Sequence, residues 1–318
     1  MAVFCVSCGL ACAQDIHFSQ IDVNPIMLNP AYSGFFDGQG RFGITYRNQW
    51  ATVSQPYQTM AATAEMSLKR RRYQQDGVSL GVTASTDRAG SLNYGTTAAS
   101  AILSYYKALG GGSAIVSLGI EGGYGNAGFD PADAVMTDPA EHFVNTTASF
   151  PIVGAGVALF IQPDDDFYLK LGFSSRNINR PNISYLGADD VYLEPRYTLY
   201  LRSEYRGWPD IAIQPLVLAQ LQHNNMEVIV GGDCRWIISE SLSDVTSFSV
   251  GARYRMFDAL MINCTFEHNA LLYNFCYDAN ISKLTPASKS VGALEFSIVY
   301  RLNTHQKIRP KAMPCPII

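Results

Sequence analysis

Nowhere in these 318 residues is there an unbroken apolar run of the eighteen or more that a membrane-crossing helix needs. Charge is scarce too: Lys+Arg total 23, Asp+Glu total 27, the charged fraction is 16% and the formal net charge is -4. A soluble surface ordinarily carries more. No Lys/Arg tract is long enough to follow a phosphate backbone, which argues against nucleic acid as a partner. The one basic run, Lys69-Arg70-Arg71-Arg72, sits between two strand-like stretches and reads as a charged turn. Cysteine supplies no framework either. Cys5, Cys8 and Cys12 fall in the first thirteen residues, and Cys234, Cys264, Cys276 and Cys315 match no metal or disulfide spacing. The five histidines are scattered, and both the Gly-x-Ser-x-Gly elbow and the His-Glu-x-x-His motif are missing. The acidic stretch 125–145 misses the calcium-loop spacing and reads as a solvated loop. These absences predict no enzyme, no cofactor and no metal site.

What the chain has is Tyr, Phe and Gly, at 18, 16 and 26 residues, a mixture that suits strands and tight turns better than helices. The organising stretch is 15–50. Its first half is polar and punctuated by Asn24-Pro25 and Asn29-Pro30, which end any regular element there. Its second half alternates Phe42, Ile44, Tyr46, Asn48 and Trp50 with Arg41, Gly43, Thr45, Arg47 and Gln49: one strand with a mostly apolar face and a wet face. The same two-faced strand recurs. At 77–86, Val78, Leu80, Val82 and Ala84 oppose Ser79, Gly81, Thr83 and Ser85. At 246–256, Phe248, Val250, Ala252 and Tyr254 oppose Ser247, Ser249, Gly251, Arg253 and Arg255.

Counting such segments gives about fourteen, within two either way, and predicts an all-β transmembrane antiparallel β-barrel of 12–16 strands. The competing all-β arrangement, a large soluble sandwich, also alternates, but tyrosines, phenylalanines and tryptophans near segment ends favour the girdles of a membrane barrel. If the first strand rises from the periplasm, the long connections 125–145 and 176–195 fall outside and the brief turns 162–166 and 207–210 fall inside. On the inward faces, Arg202, Glu204, Arg206, Arg253, Arg255, Glu267, Asp278, Glu295 and Arg301 form a candidate lumen network. The domain reading is 1–13 the remnant of an export signal ending in Ala11-Cys12-Ala13, 14–37 a periplasmic N-terminal segment that could tuck into the lumen as a plug, 38–302 the barrel, and 303–318 a periplasmic tail rich in proline.

The combination Gln14-Asp-Ile-His-Phe-Ser-Gln20, Asn24-Pro25, Leu28-Asn-Pro-Ala-Tyr-Ser-Gly34 and Tyr46-Arg-Asn-Gln-Trp50 closely resembles the PorP/SprF family of the type IX secretion system of Bacteroidota. Tyr277-Asp-Ala-Asn-Ile-Ser282, Leu284-Thr-Pro-Ala-Ser288, the strand that closes near Tyr300, and Pro314-Cys-Pro316 extend the resemblance to the far end. Ile317-Ile318 departs from the Arg-Phe ending more typical of it. The resemblance implies a non-enzymatic outer-membrane component of secretion and gliding machinery that supports export or surface attachment of secreted proteins with sorting domains. The partners it implies are outer-membrane lipid, those secreted proteins, and periplasmic secretion or motor components reached through a peptidoglycan-binding adaptor. Both mature termini are expected in the periplasm. The candidate interaction residues at the periplasmic face or barrel entry are His17, Phe18, Asn24, Pro25, Asn29, Tyr32, Arg47 and Trp50. A porin-like solute channel is the alternative, with the charged lumen residues tuning conduction or sealing it by pairing.

Overall fold

The computed structural model describes residues 16–36, 38–50, 56–68, 76–90, 93–110, 113–129, 146–164, 166–184, 191–240, 245–282 and 291–302. The leader-like 1–13, the basic turn 69–72, positions 130–145 of the acidic stretch, the motif 284–288, Cys315 and the tail 303–318 lie outside the described residues.

Period-two alternation becomes fourteen strands: β1 (Gly40–Gln49), β2 (Tyr57–Ser67), β3 (Gly77–Ala89), β4 (Tyr94–Leu109), β5 (Ala114–Gly128), β6 (Thr147–Ile161), β7 (Phe167–Arg176), β8 (Arg196–Trp208), β9 (Ile211–Gln222), β10 (Asn225–Glu240), β11 (Val245–Arg255), β12 (Ala259–His268), β13 (Leu271–Asn280) and β14 (Val291–Leu302). Each pairs antiparallel with its sequence neighbours, and β1 pairs with β14, so the sheet closes and leaves no edge. The faces sort as the sequence predicts. Phe42, Ile44, Leu80, Val82, Leu118, Ile120, Phe296 and Ile298 point outward and exposed, Ile44 to 65%, while Thr45, Arg47, Ser79, Glu121, Arg253 and Glu295 point inward and buried. An apolar outer wall around a polar interior is the pattern of a barrel in lipid.

β3, β7 and β8 run one to three residues past the bounds read from sequence, and the largest difference is in β5. β5 runs through Gly125 and Asn126 to Gly128, where the sequence reads as loop, because β4 and β6 pair with it on both sides along its whole length. Two of the seven connections at one end, 129–146 and 177–195, are far longer than any at the other, which has only 68–76, 110–113, 162–166, 209–210, 241–244 and 269–270. We call these the loop end and the turn end. Part of the second long connection folds inward. Asn182 bridges to Tyr192, and Ile183 and Leu193 are buried with Ala98, Ala127, Phe150 and Ile152 of β4, β5 and β6, capping that half of the mouth.

The N-terminal segment takes the lumen position that the sequence leaves open for it. Residues 16–36 do not lead up to the barrel; they lie inside it. Arg196, at the loop end of β8, donates to the Ile16 carbonyl, whereas Gln39 donates to the Leu302 carbonyl at the turn end. The segment thus crosses the lumen once, through a short helix α1 (Pro25–Leu28) and a 3₁₀ turn (Pro30–Tyr32). Even strand parity puts Gly40 and Leu302 at one end, but this extra crossing puts Ile16 at the other. The physical reason is space: a fourteen-stranded barrel encloses more room than its inward side chains fill.

Candidate functional site

The contact between this segment and the barrel wall is the most heavily built feature of the molecule, and its two halves are built differently. Near the loop end the contact is ionic. Arg47 of β1 and Glu295 of β14 are direct cross-strand partners and form a fully buried ion pair. Arg47 also meets Asp278 at 3.1 Å, and Arg255 reaches Asp278 at 3.4 Å. Ser19 sits in the middle: its amide donates to Glu295 at 2.6 Å, its hydroxyl donates to Asp278 at 2.6 Å, and it accepts from Arg47 at 2.7 Å and Arg255 at 2.9 Å. The Gln20 amide donates to the other Glu295 oxygen at 2.9 Å. Arg253 donates to the Ser19 carbonyl at 3.0 Å and pairs with Asp233 at 3.0 Å. Charges buried this deeply are tolerable only when every one is paired and hydrogen-bonded, and the plug backbone completes that set.

Asp22 is the second anchor, bonded to Arg202 and to the Tyr200 hydroxyl and 3.4 Å from Arg253. Burial pushes the Asp22 carboxyl up, but Arg202 and Arg253 outweigh it and hold it below the usual carboxylate range. Glu227 acts to raise the His17 imidazole, but burial together with Arg255 and Arg47 leaves it below its ordinary value. Asn24 then begins a neutral run, donating to Thr45 at 2.8 Å and accepting from Thr63 at 3.1 Å. Arg41 donates to the Val23 carbonyl at 2.7 Å.

Toward the turn end the contact becomes one of shape. Asn29 caps the 3₁₀ turn by accepting from the Ala31 amide at 2.8 Å, and its own amide donates to the Val157 carbonyl at 3.0 Å. The turn sits against inward glycines on three successive strands. A Cβ at Gly119 would overlap the backbone of Pro30 and Ala31, one at Gly156 would overlap the Asn29 carboxamide, and one at Gly172 would overlap the Tyr32 phenol. Close approach, not turn geometry, requires glycine there. Tyr32 packs edge-on to Phe160 and Tyr200, Phe35 stacks on Phe160 with centroids 3.6 Å apart, and Lys170 lies 3.7 Å above the Tyr32 ring.

Of the nine residues predicted for the lumen network, Arg202, Arg253, Arg255, Asp278 and Glu295 meet the segment directly. Glu204, Arg206, Glu267 and Arg301 gather nearer the turn end, around Arg235: Arg206 meets Glu204 at 2.7 Å, Arg235 meets Glu267 at 2.8 Å, and Arg301 pairs with Glu267. Gln214 links the groups, accepting from Arg202 at 2.6 Å and donating to Glu204 at 2.5 Å. The eight residues read as an interaction surface at the periplasmic face or barrel entry divide into five inside the barrel and three at a mouth. Asn24, Pro25, Asn29, Tyr32 and Arg47 are buried in the barrel, so they hold the segment in place and present no surface. His17 and Phe18 are half-buried beneath the loop-end mouth, and Trp50 stands on its rim, so neither group lies at the turn end. Sequence reasoning passed over Ser19, Gln20, Asp22, Asp233, Lys170 and Tyr200. Only their inward parity signalled Lys170, Tyr200 and Asp233, and nothing local signalled the others. Among the described residues no group of His, Cys, Asp and Glu could hold a metal ion, and Cys234, Cys264 and Cys276 are free.

Two polar cavities flank the segment. One, of about 290 Å³, is lined by Asp22, Arg202, Asp233, Arg235 and Arg301 on the turn-end side. The other, of about 550 Å³, opens at the loop end beside His17 and Trp50.

A family model described as "Type IX secretion system membrane protein PorP/SprF" matches residues 11–300. No curated protein matches the chain. Among solved structures, a TodX deltaS2S3 mutant monoaromatic hydrocarbon channel superposes with a TM-score of 0.54 at 8% identity, covering 87% of this chain and 94% of its own. The P. putida toluene transporter TodX gives 0.52 at 9% identity, covering 89% and 94%, and the CymD monoaromatic hydrocarbon channel gives 0.50 at 10%, covering 90% and 94%. At such identities the likeness is one of fold.

Proposed function

The chain belongs to the PorP/SprF family of type IX secretion system membrane proteins, and from that premise we propose that it is a non-enzymatic outer-membrane component that supports export, or surface attachment, of cognate secreted proteins. The observation that carries this reading is the filled lumen. A diffusion pore keeps its lumen open; here residues 16–36 occupy it and are bonded to inward residues of β1, β8, β11, β13 and β14. A barrel closed in this way acts through its two ends. Following the rule that outer-membrane barrels carry short turns on the periplasmic side and longer loops outside, the loop end faces the exterior and receives secreted proteins bearing sorting domains. The turn end faces the periplasm, where secretion or gliding-motor components, bridged by a peptidoglycan-binding adaptor, would dock.

The channel reading is supported by the two cavities, one on each side of the segment. One experiment separates the readings: affinity purification of the tagged chain from detergent-solubilised outer membranes, with mass spectrometry of what co-elutes and planar-bilayer recording on the same sample. Recovery of one large secreted protein and electrically silent bilayers is the expected result. Steady ohmic conductance with no secreted partner would replace this reading with the channel.

A further inference from the structure

Apart from His17, Arg196 and Arg255, the larger cavity is lined by residues that the filled lumen does not use. Trp50 ends β1, the turn after β9 supplies Asn224, β10 opens with Asn225 and Met226, the turn after β11 supplies Met256 and Asp258, and His17 belongs to the N-terminal segment. At about 550 Å³ the space is within the range of small-ligand sites. Trp50, which lines it, has left-handed backbone at φ 56°. Bulky residues seldom adopt that conformation, and such positions gather where a side chain must be aimed. Trp50 is fixed there by its amide, which donates to the Gly292 carbonyl at 2.8 Å, and by an edge-on contact with Tyr57 at 5.1 Å, which braces the indole without stacking on it.

The lining names the ligand class. Five carboxamides, Gln49, Gln220, Gln222, Asn224 and Asn225, share it with charged groups of both signs, while its apolar members are Trp50, Met226 and Met256 alone. That is too little apolar wall for a hydrocarbon. A peptide added as a strand finds no free edge in a closed barrel. A pyranose fits both features: its hydroxyls each donate and accept, as carboxamides do, and its C–H face lies on an aromatic ring. We propose that this loop-end pocket binds a short saccharide, with Trp50 as the platform and Asn224, Asn225 and Asp258 reading hydroxyls.

The saccharide can come from free glycan or from the headgroup of a lipopolysaccharide, and the test distinguishes them. The full chain is purified in an amine-oxide detergent, because alkyl glycosides would compete. It is then titrated with lipopolysaccharide from the same cells and with the polysaccharide released from it by mild acid, following tryptophan fluorescence and calorimetry. Saturable binding of the released polysaccharide is expected, weakened at least tenfold by Trp50→Ala and several-fold by Asn224→Ala, with heat-modifiable gel mobility unchanged. Equal binding of intact lipopolysaccharide assigns the headgroup as a source. Asn224 lies on an exposed turn, so its variant carries the test if Trp50→Ala does not fold. Failure of both glycans to bind, binding of intact lipopolysaccharide only, or binding indifferent to both variants overturns the proposal. None of these results bears on whether a secreted protein co-purifies.

Discussion

The two halves of the N-terminal segment lie in one lumen yet are held by opposite means. Residues 16–24 are fixed by charge, through Arg47, Arg253, Arg255, Asp278 and Glu295 around Ser19, and through Arg202 on Asp22. Residues 25–36 contain no charged side chain, and are fixed by shape, through the glycine niche of β5, β6 and β7 and the ring cluster of Tyr32, Phe35 and Phe160. A charged contact answers to pH, salt and competing ligands; a close-packed one answers only to volume. The contrast predicts that the half beneath the loop-end mouth is released before the half toward the turn end, where the wall's charged contacts are Glu65 at the Gly34 amide and Lys170 over the Tyr32 ring.

The largest test of that contrast is Arg47→Ala. It strands Glu295 and leaves Asp278 with Arg255 alone as its cationic partner, and breaking a buried pair by removing one member costs about 3–5 kcal/mol. We expect a matching fall in urea stability of the detergent-solubilised barrel, with amide exchange rising at 16–22 well before 25–36. Replacing the pair with apolar residues of similar volume, Arg47→Met with Glu295→Leu, should recover part of the stability while leaving the Ser19 and Gln20 amides without their Glu295 acceptor. If the double variant is as unstable as Arg47→Ala, the ionic half is not what the single variant measures.

Next in size is Gly119→Val. A side chain there meets the backbone of Pro30 and Ala31, which cannot rotate away, and overpacking of this kind costs about 1–3 kcal/mol. Here exchange should rise at 25–36 first, with Ser19 and Asp22 still held. Simultaneous loosening of both halves would mean that the segment behaves as a single unit.

How much of this was legible beforehand follows from where the partners lie in sequence. Faces and strands depend on neighbours two residues apart, so Ser247 to Arg255 could be sorted by inspection and lie as sorted. The end of β5 could not, because Gly125 and Asn126 look like loop until the strands on either side supply their hydrogen bonds. The lock is further still from local pattern. Ser19 and Glu295 are 276 residues apart, and Arg47 opposes Glu295 only because the last strand closes onto the first. Polar residues at 19–24 carry no period, and inward glycines look alike whether they face water or a packed turn. The sequence could therefore place charges in the lumen without showing that the chain's own N-terminal segment was what they held.

The smallest expected effect is that of acid, and its sign follows from the two titrating groups near neutral and acid pH. His17 is held below its ordinary 6.5 in the folded chain, so its contribution is fully present above that value and is lost as pH falls through the lowered one. Asp22 is likewise held below its ordinary 3.8, so its share survives until more acid conditions and disappears as pH falls through its own lowered value. Between residues 25 and 36 the only titrating side chain is Tyr32, which burial pushes upward, away from this range. Acidification from pH 7.5 to 5 should therefore loosen 16–18 first and leave Asp22 paired, and a later change at 25–36 comes through Lys170, which lies above the Tyr32 ring. Hydrogen exchange, corrected for the intrinsic pH dependence of the chemistry, reads all three regions in one experiment. Loosening that begins at 25–36 would reverse the assignment of which half is released first.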